Sequence, residues 1–135
     1  MIEFDIFELA TTAVIRNNLA TIVDAGINVV EPKDPNVPVS ATVVIKISFT
    51  EPHDDRDYLC VLEVLGPDEQ VRVSKDIKLS IHRPPEANLA LPFTATVAPT
   101  LSFVPGVFGV FTVKFYLAGE ATREIKLLVR PHAHR

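Results

Sequence analysis

A two-residue alternation of apolar and polar side chains constrains this chain more than any other feature, because only an extended strand places every second side chain on one face. It is clearest at Ala41, Val43, Ile45, Ile47 and Phe49, with Thr42, Lys46 and Ser48 opposite. That pattern predicts a half-buried strand. Val71, Val73, Ile77, Leu79 and Ile81 repeat it against Arg72, Ser74, Asp76, Lys78 and Ser80, with Lys75 interrupting the apolar side. A long edge strand or a bent one accommodates such a lysine.

Turn chemistry joins these runs into pairs. Residues 58–65 are apolar on both faces except at Glu63, and Gly66-Pro67-Asp68-Glu69 separates them from the Val71 strand as a hairpin turn does. In the C-terminal third, Val107, Phe111, Val113, Phe115 and Leu117 share a face, Ala118-Gly119-Glu120 forms a turn, and Ile125, Leu127 and Val129 follow. This reads as a second hairpin. After Pro84-Pro85, the alternating set Leu89, Leu91, Phe93, Ala95 and Val97 leads into a crossover through Pro99 and Pro105, where a change of sheet is expected.

Residues 6–23 admit two readings. Leu9, Ala13, Leu19 and Ile22 fit a helical stripe stopped by Gly26. A hairpin is preferred, because Asn17-Asn18 tolerates positive φ between β-branched runs and an asparagine pair suits a helix interior poorly. The tally predicts an all-β, antiparallel, immunoglobulin-like β-sandwich of about eight or nine strands. At 135 residues with 47% hydrophobic and 22% charged side chains, residues 1–135 read as a single globular domain, and the proline-rich stretch 31–38 as an ordered loop.

The run from Phe7 through Leu9-Ala10-Thr11-Thr12 and Asn17-Asn18-Leu19 to Gly26, with the later Pro105-Gly106-Val107-Phe108 and Gly119, resembles a domain-of-unknown-function family of small bacterial β-sandwich proteins. The family motif has an aspartate where Thr11 stands and a lysine-leucine pair at Asn18-Leu19. The resemblance implies a sandwich fold in a bacterial protein of uncharacterised role. It brings no catalytic residues with it.

Charge and segment character narrow the function classes. A net charge of -4 with 13 scattered Lys and Arg argues against nucleic acid, which demands a clustered basic surface. The stretch 87–113 has no charged residue, yet Pro92, Pro99, Pro105, Gly106 and Gly109 interrupt it, so a membrane-spanning helix is not expected. Met1-Ile2-Glu3-Phe4-Asp5 lacks the positive region of a secretory signal, which makes the cytoplasm the expected compartment. Cys60, the only cysteine, sits in an apolar strand and reads as a buried hydrophobe.

Three constellations could carry function. Asp54, Asp55 and Asp57, in the loop with His53 and Arg56, offer oxygen atoms to calcium, although the same residues suit a solvated turn and a full site needs six or more oxygens. His132 and His134 could chelate a metal with His53 or His82, against the reading of a frayed tail. Phe108, Val110 and Tyr116 occupy the face of their hairpin opposite the core set and could pair subunits or bind a partner, unless a covering loop buries them. No G-x-S-x-G, G-x-G-x-x-G, P-loop or H-E-x-x-H is present, so neither an enzyme nor a cofactor is expected. The reading is a non-enzymatic interaction or assembly module, a homo-oligomer or one bound to another protein. A ligand- or calcium-binding module using residues 53–57 comes second and an enzyme with an unfamiliar site third.

Overall fold

In the computed structural model, which describes residues 2–16, 19–23, 26–49, 57–80, 93–117 and 121–132, β-branched and aromatic runs form eleven strands and no helix. They are β1 (Ile2–Ala10), β2 (Thr12–Arg16), β3 (Leu19–Val23), β4 (Val29–Val30), β5 (Val39–Phe49), β6 (Asp57–Leu65), β7 (Val71–Ser80), β8 (Phe93–Val97), β9 (Thr100–Phe103), β10 (Gly109–Leu117) and β11 (Ala121–Val129). The count exceeds the expected eight or nine because β4 has only two residues and Ala98-Pro99 divides one run into β8 and β9.

One sheet has the order β1-β5-β8, with β9 also on β5, and a second has the order β4-β11-β10-β6-β7. Their facing sides form one hydrophobic core, the arrangement of a β-sandwich. Among the described strands the pairings are antiparallel except that of β4 with β11, which is parallel. The expected change of sheet occurs after β9, where residues 104–108 carry the chain from β5's sheet to β10. β2 and β3 pair with each other as the asparagine turn predicts, Arg16 opposite Leu19, although Asn17 and Asn18 lie outside the described residues.

β5 departs from expectation. Its apolar set Val43, Ile45, Ile47 and Phe49 is buried as predicted, but Thr42, Val44 and Ser48 on the other face are buried too. Its neighbours are β1 on one side and β8 and β9 on the other, so the strand is central, and Ser48 Oγ donates to the Asp5 carboxylate. Between Thr42 and Ser48 on that face only Lys46 stays part-exposed, and Thr42 Oγ1 lies 3.4 Å from Thr100 Oγ1 on β9.

The core side of the five-stranded sheet carries Cys60, Leu62 and Val64 from β6, Phe111, Val113, Phe115 and Leu117 from β10, and Leu127 and Val129 from β11. Phe115 meets Phe4 at a centroid distance of 5.7 Å and Phe7 at 6.1 Å, so β1 is held across the core by aromatic contacts as well as by its ladder to β5. β7 closes one edge of its sheet. Lys75 stands opposite the buried Leu62 on the core side of that edge, and its ammonium reaches across to the Thr100 carbonyl of the other sheet at 3.5 Å. A charge turned inward at an edge discourages another strand from pairing there.

Candidate interaction surface

Residues 31–38, 66–70 and 104–108 come together at one end of the sandwich, and the sequence explains how each is fixed. Gly66 to Gln70 form a tight turn in which the Glu69 amide donates to the Gly66 carbonyl at 3.0 Å and Glu69 takes a φ of 63°. The Asp68 carboxylate accepts the Gln70 amide at 3.1 Å and a two-pronged grip from Arg72, at 3.0 and 3.1 Å. In the proline-rich stretch, the Asp34 carboxylate accepts the Asn36 amide at 2.8 Å, and the Pro35 carbonyl accepts the Gly106 amide at 2.7 Å.

Arg72 ties this end together. Its Nε donates to the Pro105 carbonyl at 2.9 Å, Nη1 also reaches the Gln70 carbonyl at 3.1 Å, and the guanidinium lies 5.6 Å from the centre of the buried Phe111 ring. Alternation placed Arg72 on the outward face. The register shift between Val64 and Leu65 explains the correction, because an extra residue in a ladder turns the following side chains to the other side. The guanidinium, first by direct hydrogen bonding, holds the Asp68 carboxyl below the usual carboxylate range.

On these pinned loops Val37, Val104, Val107 and Phe108 are exposed apolar side chains, and Val71 and Val110 join them from the starts of β7 and β10. Phe108 and Val110, expected as a possible binding patch, are 37% and 50% exposed. Val107 was expected in the core and is instead 44% exposed. Gly106 at φ +79° and Gly109 at φ +148° break the extended backbone on either side of it, so the alternation begins only with β10. Val71 and Val104 were not anticipated as surface residues.

Tyr116, the third expected member, projects from the outer face of the five-stranded sheet. Its hydroxyl donates to Glu63 Oε1 at 2.9 Å, which raises its own pKa, and the Lys114 ammonium lies 5.8 Å from its ring centre. Nearer the pinned loops, the same face holds a shallow groove of about 390 Å³ lined by Leu65, Glu69, Thr112, Lys114, Glu124 and Lys126. Lys126 Nζ donates to Thr112 Oγ1 at 2.9 Å and lies 3.8 Å from Glu124.

Of the acidic loop, Asp54 and Asp55 lie outside the described residues, as do His53, His82 and His134. Asp57 opens β6 at the other end of the sandwich, with its carboxylate 3.3 Å from the exposed ammonium of Lys78. Among the described residues no group of three or more His, Cys, Asp or Glu side chains stands close enough to hold a metal ion. No helix among them is long and apolar enough to cross a membrane. Compared with known proteins, the chain matches no family model and resembles no curated protein.

Cys60 is buried in β6, and desolvation pushes its thiol up to about 11. Because the folded state favours the protonated thiol, that contribution to stability is present below the ordinary thiol range and is lost as pH rises toward about 11. The native protein is expected to resist a thiol reagent until unfolded. Its urea midpoint is expected to fall more steeply over that alkaline range than that of Cys60→Ala, and equal slopes would contradict the shift.

Proposed function

We propose that the chain is a non-enzymatic interaction or assembly module of bacterial type, acting in the cytoplasm through self-association or another protein partner. One immunoglobulin-like domain spanning 1–135 fits the strand order. The N-terminal part contributes β1 to the sheet of β5 and then β4, parallel to β11, to the other, and β4-β11-β10-β6-β7 runs in the manner of a variable-type sheet.

The observation that carries the functional reading is the set of exposed apolar side chains on and beside the hydrogen-bonded loops. An isolated exposed valine means little, but six exposed apolar residues at the same end, around Phe108 and Val110, form the kind of surface that marks interaction sites. Because Arg72, Asp68, Pro35 and Gly106 already fix the loops, little further ordering opposes association.

Light scattering across a concentration series is expected to give a multiple of the 14.9 kDa chain mass. Phe108→Glu and Val110→Glu should each reduce it toward the single chain without lowering the melting temperature by more than a few degrees, because both side chains are exposed. A single-chain mass at every concentration sinks self-association and leaves a different protein as the partner to be sought.

A further inference from the structure

The outer face of the five-stranded sheet carries charge in an order that suits a second copy of itself. Reading across β11 and β10, the paired outward residues are Leu128 with Val110, Lys126 with Thr112, Glu124 with Lys114, and Thr122 with Tyr116. The groove on this face is charge-balanced, two lysines against two glutamates. The outer side of the other sheet carries Glu3, Asp5 and Glu8 along β1 against Lys46, and the chain as a whole has a net charge of -4. A two-fold interface sets a patch against its own image, so a face of one sign repels itself and a balanced face does not.

We infer that the self-association surface extends from the apolar end through Val110 onto this outer face, which pairs with a second copy by reciprocal Lys126 to Glu124 contacts. The inference rests on the self-association reading above. A two-fold axis in the interface, running across the strands between the Thr112 and Lys114 rows, carries each row onto the one related to it. Lys126 of one copy then lies over Glu124 of the other, twice, and Val110 lies over Tyr116. The half-exposed Val110 gains an aromatic partner that already has its hydroxyl tied to Glu63.

The face is large enough. Four strands, three of them nine residues long, span about 19 Å by about 30 Å at the usual strand spacing and rise, a projected area of roughly 600 Å² before side-chain relief is added. Standard interfaces bury about 800 Å² on each partner. The main competing account is a solvated sheet face whose cross-strand charges only pair within the chain. On that account, reversing one charge has little effect on mass.

The test is a charge swap read by sedimentation or light scattering on the full chain. Lys126→Glu places carboxylates on carboxylates and Glu124→Lys places ammonium groups on ammonium groups, so each is expected to weaken self-association about tenfold or more. The combined Lys126→Glu/Glu124→Lys chain restores the pairing with signs exchanged and should associate like the parent, as should an equimolar mixture of the two single variants. This rescue separates lost contacts from misfolding. If the parent associates and Phe108→Glu weakens it while the charge variants do not, this face is not the interface, although the self-association reading survives. If the parent is a single chain throughout, both fall.

Discussion

Truncating Phe115 to alanine is expected to lower the unfolding free energy by about 3–5 kcal/mol, a large share of what a domain of this size commands. The ring is fully buried and packs against both Phe4 and Phe7 on β1. Those two rings meet each other at 6.3 Å, and the Arg123 guanidinium covers Phe4 at 4.7 Å. Removing Phe115 therefore leaves a cavity bounded by side chains that are themselves anchored and collapse into it only partly. Among the described strands β1 is laddered to β5 alone, so the loss should also appear as faster amide exchange along Ile2–Ala10 than along the central β5. Urea unfolding checks the magnitude, and Phe115→Leu should cost markedly less because most of the volume remains. A Phe115→Ala penalty under about 1 kcal/mol would mean that β1 moves in to fill the space.

The elements readable from sequence were those whose information is local. The β6–β7 hairpin was legible because Gly66-Pro67-Asp68 lies between two alternating runs, and the β10–β11 hairpin because Phe111 to Leu117 alternate without a break. What escaped depended on partners distant in the chain. β4 has only two residues, and its parallel pairing with β11 joins Val30 to Val129, a relation no local pattern encodes. β5 read as half exposed because alternation reports the polarity of a face, whereas burial of Thr42 and Ser48 goes with partners far along the chain, Thr100 beside Thr42 and Asp5 beside Ser48.

The surface site divides the same way. Phe108 and Val110 could be singled out because alternation set them against the core residues of β10. Val107, Val71 and Arg72 were misplaced where backbone irregularity changes the phase of the pattern: positive φ at Gly106 and Gly109, and the register shift beside Leu65. Glycines at 106 and 109 were the available signal for the first. Nothing local signalled the second, since a ladder irregularity belongs to two strands at once.

Replacing Gly109 by alanine is expected to cost roughly 2–4 kcal/mol, through two separable causes. At φ +148° a β-carbon strains the backbone, and the atom itself would stand 2.6 Å from Pro67 Cγ on the neighbouring hairpin. Pro67→Ala removes that Cγ, while Pro67 Cβ, at 3.3 Å, has room to yield by a few tenths of an ångström. In a double-mutant cycle the Gly109→Ala/Pro67→Ala chain should thus be less destabilised than the sum of the single changes, the recovered part being the clash and the remainder the backbone strain. Strict additivity would exclude the clash. The same variant reaches the interaction surface, because Gly109 lies between Phe108 and Val110. If the apolar end associates because its loops are fixed in advance, Gly109→Ala should weaken association under conditions where the protein is still folded.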